Sequence, residues 1–309
     1  MKTYKTKKSL GQNFLKSVPA LNKIIEAGEI SSENIILEIG PGKGALTKKL
    51  LEKVCPAGAG QGLVIAVEKD RELFEFLKIK FEKEIGEHIL VLVNDDILKF
   101  DINSISLNFF SLRTAKRNSL LEKIKEIPIN KAVLTFSNSN VAKQDILRKS
   151  AELGNYKVIA NIPYNITGAI LKKFLTTENQ PTSMALMVQK EVAERIIARD
   201  GKESLLSISV KAYGEPKMIV KVPARYFSPA PEVDSAIISI KNISRKIFEK
   251  NKIGEEKFWK IVRAGFAHKR KKLSGNLKSV IPREKLYKLG LKDKRAEDLG
   301  LKDWLALAK

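Results

Sequence analysis

Along the first two-thirds of the chain, short continuous apolar runs alternate with longer segments in which apolar residues recur at helical spacing. The runs at 35–39 (IILEI), 63–68 (LVIAVE), 89–94, 157–161 and 183–189 have strand length and are apolar at nearly every position. A strand with one face in water alternates apolar and polar residues, so unbroken runs predict strands covered on both sides. Strand and helix in alternation predict a parallel sheet with helices on both faces, an α/β fold.

Between Gly201 and Lys241 the alternation breaks. The stretch 204–212 (SLLSISVKA) reads as a strand, followed by a Gly214-Glu215-Pro216 turn, an MIVKVP run and a last strand at 235–241. Late strands with no full helix between them predict an antiparallel addition at the sheet edge. Beyond about residue 243 the strand signal ends, and FWKIVRAGF and EDLGLKDWLALA predict a small helical domain. The stretch of about 101–155 mixes a helical SLLEKIKEI, a Pro128-Ile129-Asn130 break, a β-like AVLTF and a helical QDILRKSAEL, and reads as an inserted lobe. The expected organisation is one α/β domain over 1–243 that carries this lobe, and a helical domain over 244–309.

Composition narrows the chemistry. Cys55 is the only cysteine, and His88 and His268 are the only histidines. An intrachain disulfide is excluded, and a zinc cluster or a Ser-His-Asp triad is argued against, so no metal is expected. No apolar run reaches membrane-spanning length and the first residues lack the apolar stretch of a signal peptide, which makes a cytoplasmic protein, by default a monomer, the expectation. The 57 Lys and Arg against 35 Asp and Glu give a net charge of +22. Residues 244–309 hold 20 basic and 8 acidic side chains, and residues 1–16 hold five lysines and no acid. Charge gathered at the chain ends points to a polyanionic partner, with the run Lys269-Arg270-Lys271-Lys272 as the chief candidate contact.

A nucleotide site is written at the ends of the first strands. NIILEIGPGKGALTKKL sets an apolar strand before Gly40, Gly42 and Gly44 and then a helix, a turn in which glycine lets the backbone bend tightly and approach a ligand. Alone, such a turn is as compatible with no ligand at all. The spacing is GxGxG, not the GxGxxG of dinucleotide enzymes. Glu68 ends the second run, where a carboxylate can accept from both ribose hydroxyls, and Asp96 follows the third, where it could accept from an adenine amine. Either acid by itself could be a turn or helix cap. Three such groups at successive strand ends favour an adenosine-containing ligand.

The fourth run ends in Asn161-Ile162-Pro163-Tyr164. The tetrapeptide in isolation reads as a turn. At a ligand-binding strand end it offers more: the lone pair of an aromatic amine is delocalised into its ring, and the Asn161 oxygen and Ile162 carbonyl could accept the amine's two hydrogens. Pro163 stiffens the turn, and Tyr164 can stack on a base taken out of its helix or loop.

Taken together, GPGKG, Glu68, Asp96 and NIPY resemble the adenine-amine methyltransferases. With KKSLGQNFL (7–15), MVQKEVAERI (187–196), RYFSPAPEVDSAII (225–238), FAHKRKKLSGNL (266–277) and RAEDLGLKDWLALA (295–308), the chain resembles the ribosomal RNA adenine dimethyltransferase family nearly end to end. The resemblance implies a Rossmann-like sheet that uses S-adenosylmethionine to dimethylate adenine in small-subunit ribosomal RNA during ribosome biogenesis. It further implies that Asn13, Leu15, Gly40, Glu68, Asp96 and Asn161 contact the methyl donor, with Gly42 and Gly44 in the same loop, and that Phe227 forms an aromatic clamp with Tyr164. Two other readings stay open: a large-subunit methyltransferase of the antibiotic-resistance type, and a non-catalytic RNA-binding assembly factor. The chain departs from the family in two places. Asp96 and Asn161 stand much further apart in sequence than the family needs, and QKEVAER runs into RDGKESLLSISV in place of a longer loop.

Overall fold

Four parallel strand pairings build the centre of a seven-stranded sheet in a computed structural model that describes residues 6–7, 10–56, 62–101 and 156–309. In chain order the described strands are β1 (Phe14–Leu15), β2 (Ile35–Ile39), β3 (Leu63–Glu68), β4 (Leu90–Asn94), β5 (Tyr156–Asn161), β6 (Ser183–Gln189), β7 (Glu215–Val222), β8 (Phe227–Ser228) and β9 (Ser235–Lys241). The large sheet runs β4-β3-β2-β5-β6-β9-β7, and β1 pairs with β8 separately. The order reverses between β2 and β5, so the carboxyl ends of β2 and β5 diverge into the crevice where open α/β sheets bind ligands. The lobe expected at about 101–155 lies, apart from Asp101, outside the described residues.

Every residue of β3 is buried, as its unbroken apolar run requires. Helices cover one face: α1 (Val18–Gly28), α2 (Ala45–Val54), α3 (Arg71–Lys80) and α4 (Glu82–Gly86), the first capped by Ser17 and the third by Asp70. Ile36, Val64, Ile159 and Met187 meet Ile24, Leu50 and Leu77 there. Their sequence neighbours Leu37, Ile65, Val158 and Leu186 point to the opposite face. That face carries α5 (Thr167–Thr176), α6 (Lys190–Ile197) and α7 (Leu205–Lys211).

The segment 204–212, expected as a strand, is α7. Ser204 caps it: Ser207 N–H donates to Ser204 Oγ at 3.1 Å and Ser204 N–H to Ser207 Oγ at 2.7 Å. This reciprocal box satisfies two N–H groups that a helix start leaves open. The Leu-Ser-Ile-Ser-Val alternation imitated period two, yet Ser207, Ile208 and Val210 are all buried, a placement no one-sided strand allows.

The antiparallel edge is real. β9 pairs antiparallel with β6 and with β7. The expected Gly214-Glu215-Pro216 turn instead leads directly into β7, where Pro216 pairs with Ile240. Proline can stand there because β7 is the sheet edge and its outer N–H groups need no partner strand.

After β9 the described elements are helical: α8 (Lys246–Asn251), α9 (Glu255–Phe266), α10 (Leu273–Asn276), α11 (Arg283–Lys288) and α12 (Leu301–Ala308). This unit shares its core with the second sheet face, through Phe248, Phe258 and Trp304. Tyr213 stacks on Trp259 with centroids 6.0 Å apart, and Trp259 Nε1–H donates to its hydroxyl at 3.0 Å. Arg245 donates to the Thr176 and Thr177 carbonyls at the end of α5 while pairing with Glu255 at 3.0 Å.

Candidate active site

A cavity of about 400 Å³ opens at the carboxyl ends of β2, β3 and β5. Its walls come from the segment around Asn13, the glycine turn after β2, Glu68, and the Asn161–Tyr164 tetrapeptide, with Ser228 from β8.

The glycine turn is shaped by backbone angles. Gly40, Gly42 and Gly44 have φ of 63°, 60° and 75°, in the left-handed region where a side chain is strained. A Cβ on Gly42 would also meet the Phe14 ring at 2.9 Å, and one on Gly44 would meet the Phe81 ring at 2.5 Å. Gly42 therefore lets the segment carrying Phe14 lie against the turn. Gly44 serves packing against the α3–α4 corner and is not on the cavity wall.

Glu68 is buried at the end of β3. Its Oε2 accepts from Gly42 N–H at 3.0 Å and its Oε1 from Asp70 N–H at 2.9 Å. Burial pushes its carboxyl up, and the two N–H bonds oppose that shift. Each oxygen keeps a second lone pair, so both can still accept a hydroxyl. Asp96 stands one strand further out and off the cavity wall: Lys69 Nζ pairs with its Oδ2 at 2.9 Å and Leu98 N–H donates to its Oδ1 at 3.0 Å. The lysine holds this carboxyl below its ordinary range.

At the end of β5, Asn161 Nδ2 donates to the Asn13 carbonyl at 3.2 Å. A carbonyl can only accept, so this bond decides which way the Asn161 amide faces. Its Oδ1 is thereby the atom left to receive a hydrogen from a ligand. Ile162 is buried and Pro163 starts a short 3₁₀ turn, Tyr164–Ile166. Tyr164 lines the cavity, and its hydroxyl lies 2.6 Å from Ser235 Oγ.

Asn13 and Leu15 lie on the same cavity through β1, whose Leu15 pairs with Phe227. Phe227 itself is 3% exposed, belongs to the core cluster that holds Leu15, Leu21 and Ile24, and is not on the cavity wall. Its neighbour Ser228 is what β8 contributes to the cavity. The run Lys269–Lys272 is exposed in the turn between α9 and α10, on the helical unit.

Two groups escaped the sequence reading. Glu38, inside β2, lines the cavity at 1% exposure, its Oε2 has no hydrogen-bond partner, and burial pushes its carboxyl up to about 8. A charged residue inside an otherwise apolar strand was the available signal. Asp70 gathers the N-terminal segment: it accepts from Lys7 Nζ and Gln12 Nε2, both at 2.9 Å, while capping α3. Nothing in the local sequence marks it beyond its capping role.

Among the described residues no cluster of His, Cys, Asp or Glu could hold a metal ion, and no helix is long and apolar enough to cross a membrane.

A family model described as ribosomal RNA adenine dimethylase matches residues 3–309. Over 312 residues the chain is 36% identical to the ribosomal RNA small subunit methyltransferase A of Dehalococcoides mccartyi (strain CBDB1), covering 99% of this chain and 88% of the relative. It is 34% identical over 315 residues to the protein of the same name from Nostoc sp. (strain PCC 7120), covering 98% and 96%. Among solved structures, a dimethyladenosine transferase from Plasmodium falciparum superposes with a TM-score of 0.66 at 24% identity, covering 95% of each chain. The 23S rRNA methyltransferase ErmE superposes with a TM-score of 0.62 at 21% identity, covering 96% of this chain and 98% of that one. Both share the fold.

Proposed function

This chain belongs to the ribosomal RNA adenine dimethylase family, and from that premise we propose that it transfers two methyl groups from S-adenosylmethionine to the exocyclic amine of adenine in small-subunit ribosomal RNA. The observation that carries the reading is the Asn161 amide, turned by the Asn13 carbonyl so that its oxygen is the acceptor, in the same cavity as Glu68.

The residues present fit the methyl donor. A buried carboxylate with spare lone pairs suits a ribose, and a glycine turn whose Gly40 side is open suits close backbone approach. When bound, S-adenosylmethionine supplies an electrophilic methyl on a sulfonium that becomes a neutral thioether on transfer. Glu68 holds the ribose hydroxyls, and the segment around Asn13 and Leu15 closes over the donor. Asn161 Oδ1 and the Ile162 carbonyl accept the amine hydrogens, which favours a pyramidal nitrogen with its lone pair directed at the methyl carbon. Tyr164 supplies an aromatic face to the base, with Phe227 as the second face once its ring leaves the core on substrate binding. Catalysis is positioning and hydrogen bonding, and displacement at a sulfonium needs no metal.

Residues 1–243 act as the catalytic domain and 244–309 as the helical domain that contacts RNA through Lys269–Lys272, on a small-subunit particle in the cytoplasm, coupled to its maturation. The 33–36% identity to small-subunit enzymes favours this over a large-subunit substrate. The test is mass spectrometry of adenines in both ribosomal RNAs from cells with and without the protein. Dimethyladenine that depends on the protein in small-subunit RNA is expected. Dependence in large-subunit RNA alone, or none, overturns the reading.

A further inference from the structure

The helical unit carries an exposed ring that the methyl-transfer chemistry does not use. Tyr287, on α11, is 47% exposed, while its neighbour Leu286 is buried and anchors the helix. Two cations flank the ring: Lys292 Nζ lies 4.5 Å and the Arg283 guanidinium 5.5 Å from its centroid. Arg283 and Tyr287, with Glu284, line a shallow open depression.

This group adjoins the basic run through Asp293. Lys272 Nζ pairs with Asp293 at 2.9 Å, Lys292 Nζ stands 3.8 Å from the same carboxylate, and Leu273 N–H donates to the Lys294 carbonyl at 2.9 Å. Lys272, which ends the exposed turn Lys269–Lys272, and Lys292, which lies over the Tyr287 ring, are thus bridged by one carboxylate.

We infer that Tyr287 is a stacking site for one unpaired RNA base, with Arg283 and Lys292 receiving the flanking phosphates. A cation over a solvent-exposed ring is held weakly, less strongly than a base stacked on the same face. A base can therefore displace Lys292, and the released ammonium gains a phosphate in place of the ring. Helix α11 is anchored by Leu286 and the following turn by Leu291, so the platform is preformed. The site deepens the reading that the helical unit binds RNA, and rests on it.

Stacking and phosphate contacts separate experimentally. A base locked in a duplex cannot stack on a side chain, and removing a neutral ring releases no counterions. The probe is a short mixed-sequence RNA, used as a single strand and annealed to its complement, titrated with the full chain across a salt series. Tyr287→Ala should lower single-strand affinity about 5- to 100-fold at every salt concentration without changing the log–log slope. Its duplex affinity should match the wild type, and Tyr287→Phe should restore single-strand binding. Lys292→Gln should weaken both RNAs and make the slope shallower by roughly 0.7 to 0.9. Full single-strand affinity in Tyr287→Ala, or equal loss on single strand and duplex, overturns the inference alone. Absence of salt-dependent RNA binding by the wild type overturns it together with the reading it rests on.

Discussion

The hydroxyl of Tyr164 meets Ser235 Oγ at 2.6 Å, so the aromatic wall of the cavity is fastened to the first residue of β9. Ser235 is fully buried and Tyr164 partly so; burial pushes the phenol up, which keeps it protonated and able to donate. Ser235 thus acts on the ring's orientation without touching a substrate. Ser235→Ala and Tyr164→Phe break the same bond, and the Ser235 hydroxyl left buried and unpaired by Tyr164→Phe costs about 1–3 kcal/mol. Each should slow single-turnover methyl transfer about tenfold with donor affinity unchanged. The double mutant should be no slower than the worse single, because the coupled bond is already lost. Additive rate losses would mean that the two residues act separately.

Asn161→Ala should reduce methyl transfer by at least about 100-fold, the scale of losing one preorganised hydrogen-bonding group. Stability should change by only about 1 kcal/mol, since one bond to the Asn13 carbonyl is lost. Asn161→Asp is the sharper variant: it keeps an acceptor but sets a carboxylate against the Asn13 carbonyl, so it should be comparably inactive. Turnover by single-turnover kinetics, read beside melting temperature, checks both.

For Glu68→Ala, calorimetry should show S-adenosylmethionine binding weakened by about 10- to 100-fold, from the loss of charged hydrogen bonds worth about 1.5–3 kcal/mol each. RNA binding should persist, because the carboxylate lies at the end of β3 and not on the helical unit. Unchanged donor affinity would remove Glu68 from the ribose.

Strands β2, β3 and β4, the glycine turn and the tetrapeptide were legible because each is local: a continuous apolar run followed by residues with a distinct backbone or polar role. What closes the cavity was less legible. Asn13 meets Asn161 across 148 residues of sequence, and Leu15 pairs with Phe227 from still further away, and such contacts leave no periodic trace. The 204–212 error has a different cause. Serine at alternate positions looks like the wet face of a strand, but Ser204 and Ser207 spend their hydroxyls on each other's backbone at a helix start. Phe227 was placed by family resemblance, and its burial could be read only from the pairing of β8 with β1 and the core cluster it joins.

Glu38 links stability to pH. Its folded carboxyl is raised to about 8 by burial, helped by the like charge of Glu68 and opposed by Thr47 and, more weakly, by Lys80. The folded state therefore binds a proton that the unfolded chain releases near its ordinary value of 4.5. The contribution is fully present below that value and is lost as pH rises toward 8, a loss on the order of a few kcal/mol. Glu38→Gln holds a neutral side chain throughout, so its melting temperature should fall less than that of the wild type between pH 5 and 8. Parallel curves for the two proteins would show that Glu38 does not titrate in this window.

The basic run should govern how RNA affinity responds to salt. Residues 244–309 are about a fifth of the chain yet hold 20 of its 57 basic side chains, and the four consecutive cations Lys269–Lys272 are exposed in one turn. Each cation that neutralises a phosphate releases condensed counterion, giving a log–log slope of roughly −0.7 to −0.9 per contact. Lys272 is already paired with Asp293 at 2.9 Å, but both partners are more than half exposed. A pair of that kind is worth little, so it does not prevent a phosphate from competing for the ammonium. Changing all four residues to Gln should therefore make the slope shallower by about 3 to 4 units if each touches phosphate. Donor binding should not move, because the cavity is built at the ends of β2, β3 and β5, on the other unit of the chain. The measurement is RNA affinity of wild type and quadruple mutant over a salt series, beside donor affinity at one salt concentration. Equal slopes would leave the run as a solubilising surface and move the RNA contact to other cations of the helical unit.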